Sequence, residues 1–186
     1  MDKLEAINTM LGHINQSPIT TLNGNKTARI LMAENLLESQ TKAVQMLSYD
    51  FNRIENYPLY PNEDEEIILP ANTLKVDICK SYLDESRYVQ WGNRLYNKTF
   101  NTYKIGKYLE GNIIIQLEFE DLPEPVKLYV VMTASNKFVS QIKDDRNKIA
   151  YTEQEVFEAK QTLDEYEAEC GDYNILNIYN TKRYLG

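Results

Sequence analysis

Residues 112–138 read NIIIQLEFEDLPEPVKLYVVMTASNKF, and the period of the apolar residues changes within them. Ile113, Ile115, Leu117 and Phe119 alternate with Ile114, Gln116 and Glu118. That two-residue period predicts a strand over 112–119 with one face better buried than the other. After Leu122-Pro123-Glu124-Pro125 the step becomes four, so that Val126, Val130, Ala134, Phe138 and Ile142 fall on one side of a helix. The prolines sit in its first turn, where the N–H they lack has no helical partner. Strand gives way to helix at about residue 121.

Toward the C-terminus, Thr152 and Glu155 have the spacing of a capping box. Val156, Ala159, Leu163, Tyr166 and Cys170 then form a regular stripe, which predicts a helix over 152–170. Gly171 stands where a left-handed C-terminal cap belongs. Toward the N-terminus, Pro58, Pro61, Pro70, Gly92, Gly106 and Gly111 punctuate short β-prone runs at 67–69, 74–79, 88–91 and 94–105. Further upstream, Asp2 caps a first helix with Glu5 completing the box, and Leu4, Ile7, Leu11 and Ile14 share one face until Pro18. A second helix, predicted over 26–49, carries Ala33, Leu37, Val44 and Leu47, with Phe51 just beyond.

None of the four helices can bury its stripe alone. The predicted class is therefore α+β: a four-helix bundle with an inserted small antiparallel β subdomain and an extended C-terminal tail. Helices 1 and 2 occupy 1–51, the β subdomain 52–120, helices 3 and 4 occupy 121–171, and the tail 172–186. The tail holds Tyr173, Asn174, Ile175, Leu176, Ile178, Tyr179 and Tyr184, with charge only at Asp172, Lys182 and Arg183. It is too apolar for a solvated disordered end and too short to fold alone. These seven residues are candidate protein-interface positions, as are Trp91 and Tyr96 in the β subdomain.

The net charge of −8 argues against a protein that grips nucleic acid through its phosphates, which needs a basic face. Fourteen tyrosines against one tryptophan suit surfaces that are partly buried and partly wet, subunit interfaces among them. Residues 1–20 lack the pattern of a signal peptide, and no apolar run reaches bilayer-spanning length. Cys79 and Cys170 match no metal spacing and read as two reduced, mostly buried thiols.

Chemistry is sparse. His13 is the single histidine, and it lies between Leu11 and Ile14 near a helix end, which favours a structural or surface role. No Gly-x-Ser-x-Gly elbow presents a nucleophile. Glu63-Asp64-Glu65-Glu66 lacks the glycine and spacing of a calcium loop and reads as a solvated loop. Glu118, Glu120, Asp121 and Glu124 have no sequence argument placing two at a glycosidase separation. Tyr88, Trp91, Tyr96, Phe100 and Tyr103 alternate with basic and amide residues; cross-strand packing is the leading reading and a single-strand stacking platform the lesser one. No catalytic constellation, cofactor or metal site is expected.

Several segments carry a resemblance over the whole chain: 4–11 (LEAINTML), 16–22 (QSPITTL), Asp50-Phe51-Asn52, 67–70 (IILP), Leu122-Pro123-Glu124, 134–138 (ASNKF) and 166–176 (YEAECGDYNIL). In order and spacing the chain resembles the tail tubular protein A family, the tail adaptors of short-tailed bacteriophages. One departure is Ser48-Tyr49, where the family usually has Gly-Trp.

The resemblance implies a virion protein made in the bacterial host cytoplasm. It implies a homo-oligomeric ring of about twelve copies closed by heterologous contacts. That ring would sit between the portal and the tail nozzle, extend the DNA channel, support tail fibres and serve genome ejection. Double-stranded DNA would pass through without specific binding, and the chain would not bind membrane. Three rivals stay open: a head-completion connector of long-tailed phages, a virion-associated cell-wall hydrolase and a single-strand-binding module.

Overall fold

The computed structural model describes residues 1–78, 87–142 and 146–170. Its helices are α1 (Lys3–His13), α2 (Ala28–Gln45), α3 (Glu124–Ile142) and α4 (Arg146–Cys170). Its strands are β1 (Arg53–Leu59), β2 (Thr73–Ile78), β3 (Tyr88–Trp91), β4 (Arg94–Asn97) and β5 (Leu109–Ile115). The class is α+β, with four helices and small antiparallel sheets. Two compact units divide the chain: Met1–Leu37 with the described residues from Pro123 onward, and Glu38–Leu122. The division falls inside α2.

In the helical unit, α3 packs along α4 and against α1. The expected cap on α1 forms, Glu5 N–H donating to Asp2 Oδ1 at 2.8 Å and Asp2 N–H to Glu5 Oε2 at 2.9 Å. Ile7, Leu11 and Ile14 are buried as the stripe predicts, joined by Ala6 and Met10. Val126, Val130, Ala134 and Phe138 are buried down one side of α3. Each such large side chain contributes about 1.5–3 kcal/mol on leaving water.

Two expectations for α4 are corrected. The helix begins at Arg146, so Thr152 lies inside it and caps nothing. Buried Thr152 Oγ1 instead donates back to the Lys148 or Ile149 carbonyl (3.1 and 3.0 Å) and accepts from Asn136 Nδ2 of α3 at 3.0 Å. A polar tie between helices, not a helix start, is what that threonine supplies. Ala159 and Leu163 are buried, but the stripe outlasts its partners, and Cys170 in the last turn is exposed. Cys79 and the predicted cap at Gly171 lie outside the described residues.

In the other unit, β5 is the central strand of the order β1-β5-β2, antiparallel to both neighbours. Ile113 and Ile114 point to opposite faces and are both buried, so the expected one-sided strand is buried on two sides at its centre. The strand also starts three residues early and ends at Ile115 rather than at 119. Gly111, which the sequence presented as a turn, sits within it. A Cβ there would stand 2.9 Å from the Asp77 carbonyl oxygen, so only glycine admits β2 at this distance.

Past Ile115 the ladder is replaced by side-chain amides. Gln45, fully buried at the end of α2, accepts from Leu117 N–H at 2.7 Å and donates to the Leu117 carbonyl at 3.0 Å. Asn52 Nδ2 donates to the Gln45 and Ile115 carbonyls at 3.0 and 2.9 Å. Leu117 therefore has strand-like backbone partners with no strand beside it. Phe119, buried, belongs to a short 3-10 turn, not to the strand.

β1 has no counterpart among the predicted runs. Pro58 suggests a break, yet β1 is an edge strand, where proline costs no ladder hydrogen bond on its open side. Asn56, at φ +52, sits where the β1–β5 register shifts. The second helix likewise ends at Gln45, not 49, and Leu47 beyond it is 59% exposed.

Candidate protein-interaction surface

Trp91 and Tyr96 come together on the β3–β4 hairpin. A two-residue loop joins its strands, with Gly92 at φ +63 in the position a type II′ turn reserves for glycine. Tyr88 pairs with Asn97 and Gln90 with Leu95; Val89 pairs with Tyr96 and Trp91 with Arg94. Strand alternation sends the first group to one face and the second to the other. Leu95, on the inner face, is fully buried in a core with Leu59, Ile67, Leu69 and Leu109, and Tyr88 packs against that core.

The outer face carries the aromatic cluster. Trp91 stacks on Tyr96 with centroids 3.9 Å apart and planes 12° from parallel. Tyr103 meets Tyr96 edge-on at 4.9 Å, and the Arg94 guanidinium lies 4.2 Å above the Tyr103 ring. Arg94 also donates to Glu66 Oε2 at 2.9 Å, and that hydrogen bond first, then the carboxylate's charge, raises its pKa. The acidic run is thus not purely a solvated loop. Glu66 is an anchor for the platform, and Ile67 and Leu69 beside it are buried, with Leu69 N–H donating to the Asn93 carbonyl at 2.8 Å. Trp91 remains 49% exposed, a large flat apolar area in water.

The predicted run 94–105 ends as a strand at Asn97. Asn97, buried, turns its side chain onto the loop it begins, Oδ1 accepting from Thr99 N–H at 2.9 Å and Phe100 N–H at 3.2 Å. Phe100 is held at the loop tip, 71% exposed. Of the five alternating aromatics, then, three share one outward cluster, Tyr88 faces the core and Phe100 stands at the tip. Arg94 was not singled out from sequence; its position opposite Trp91 across a two-residue loop is the signal that could have found it. Tyr173, Asn174, Ile175, Leu176, Ile178, Tyr179 and Tyr184 lie outside the described residues.

A second exposed aromatic pair, Tyr60 and Tyr108, has centroids 5.0 Å apart. The Tyr108 hydroxyl donates to Glu110 Oε1 at 2.6 Å, and this bond, more than partial burial, pushes the phenol up to about 12. A raised folded-state pKa stabilises at every pH below the unfolded value and is lost as pH rises through the folded one. The stability advantage of wild type over Tyr108→Phe is therefore expected to hold to about pH 10 and shrink toward pH 12 in urea unfolding. A difference that stays constant over that interval contradicts the assignment.

In the helical unit His13 is a clasp, not a relay. Its Nδ1–H donates to the Thr9 carbonyl at 2.9 Å, and Nε2 lies 2.7 Å from Glu155 Oε2, joining α1 to α4. A shallow cleft of about 440 Å³ beside it is lined by Thr9, Gly12, Lys148, Tyr151 and Glu155. Both ring nitrogens are engaged by oxygen acceptors, which leaves neither to activate a nucleophile. Among the described residues no group of three acidic, histidine or cysteine side chains is arranged to hold a metal ion. No helix among them is long and apolar enough to cross a membrane.

Among the described residues, the stacked and partly exposed aromatics of the β3–β4 hairpin form the most conspicuous surface feature. The tail tubular protein family model matches residues 4–173, and the chain belongs to that family of bacteriophage tail proteins. It is 25% identical over 155 residues to tail tubular protein A of Klebsiella phage KP34, covering 83% of this chain and 81% of the relative. The chain is a structural component of the phage virion tail.

Proposed function

We propose that the chain is a non-enzymatic tail adaptor, forming a closed ring of about twelve copies through heterologous contacts. The ring joins portal to nozzle, continues the DNA channel and gives tail fibres a foothold during genome ejection. Family membership over residues 4–173 carries this reading. The net charge of −8 supports it, because a channel wall that repels phosphate does not hold the genome back. The four helices of the chain are read as one bundle. The tail from Asp172 anchors on portal or on a neighbouring copy through Tyr173, Ile175, Leu176 and Tyr179.

Native mass measurement on the purified protein, alone and mixed with portal protein, tests the reading. A ring, or a stoichiometric complex with portal, is the expected result; a strict monomer that ignores portal overturns it. Deleting residues 177–186 is expected to leave the circular dichroism spectrum intact and weaken portal association. An unfolded deletion product contradicts the role given to the tail.

A further inference from the structure

We propose that the outward face of the β3–β4 hairpin of one copy docks on the acidic outer face of α4 of the next copy. This deepens the ring reading and rests on it. Charge is the first ground. The chain is acidic overall, yet residues 87–107 hold Arg87, Arg94, Lys98, Lys104 and Lys107 with no aspartate or glutamate. Residues 152–170 are the converse, with seven acids against Lys160. Opposite patches of this kind steer encounter and fix which surface meets which.

The second ground is the layout of each patch. On and beside the hairpin, Trp91 and Phe100 are exposed, as are Arg87, Lys98 and Lys104. On α4, Phe157 is 62% exposed, and Glu153 and Glu165 fall on the same side at steps of four and eight, while Asp164 between them is paired with Lys160. Each patch is an aromatic centre with a charged rim, the anatomy of a protein–protein contact. Because the two patches differ, their union is head-to-tail, the kind of contact that closes a ring. Glu66, which lies against the hairpin, is already engaged by Arg94 at 2.9 Å.

Charge reversal tests the pairing. Lys98→Glu with Lys104→Glu, and separately Glu153→Lys with Glu165→Lys, are each expected to weaken self-association about tenfold or more in sedimentation. Placing all four changes in one chain, or mixing the two double variants, is expected to restore it. Phe157→Ser is expected to weaken assembly without altering its salt dependence, and circular dichroism checks that each variant folds. If wild type assembles and both double variants assemble equally well, the pairing is wrong while the ring stands. If wild type stays monomeric even with portal, the ring reading itself falls. Duplex DNA retention that the lysine changes abolish, with assembly untouched, makes the hairpin a DNA-facing surface and overturns the proposal.

Discussion

Replacing Gln45 with alanine is expected to destabilise the β-containing unit by about 3 kcal/mol, because it leaves two half-buried backbone groups of Leu117 unpaired. The side chain is fully buried and spends both ends of its amide on one residue 72 positions away. Water admitted by alanine would recover part of the loss. Gln45→Met separates the causes, since it keeps the volume and removes the hydrogen bonds. If polar satisfaction dominates, methionine costs nearly as much as alanine in urea unfolding. A methionine variant as stable as wild type would show that Gln45 matters only as filler. Hydrogen exchange at the Leu117 amide should accelerate in both variants, ahead of exchange in the centre of β5.

Phe138→Ala carries the other large effect, about 4 kcal/mol from lost transfer energy and the cavity left behind. Phe138 is fully buried at the end of the Val126, Val130, Ala134 row, on the helix that packs against both α1 and α4. A loss of that size is a large share of a typical total stability of about 5–15 kcal/mol, so the variant should unfold at a much lower urea concentration. Phe138→Leu keeps most of the volume and is expected to cost about 1.5 kcal/mol or less. Should the alanine variant unfold at the wild-type midpoint, the row along α3 is not the core of the helical unit.

What could be read in the chain beforehand depended on whether a pattern had one physical cause. Asp2 and Glu5 have no other use at that spacing, and their cap forms as expected. The α3 ladder is equally unambiguous, being a stripe that only a partner helix can bury. Other signals had two causes. Gly111 reads as a turn when glycine is taken for flexibility, but here it makes room for the Asp77 carbonyl. Pro58 reads as a break, but an edge strand tolerates it. Thr152 and Glu155 have capping-box spacing, yet Thr152 binds α3 and Glu155 binds His13.

Alternation from Ile113 to Phe119 continues past the end of the strand because Gln45 and Asn52 mimic the missing neighbour. No local pattern encodes a partner so distant in sequence. Trp91 and Tyr96 stand out from residue type alone as candidate contact positions. Their stacking, and the Arg94–Glu66 support beneath it, needed the hairpin register and a bridge across 28 positions.

Asn97 settles the shape of the loop at Phe100 before any partner arrives. Immobilising a side chain on binding costs about 0.5–1.5 kcal/mol, and a tip already tethered by two backbone hydrogen bonds has less freedom left to surrender. In the docking proposed for the hairpin, the order of this loop would therefore set part of the strength of the contact without any contacting residue being changed. Loosening Asn97 would weaken the joint by restoring motion to the free subunit, while its exposed surface kept the same composition.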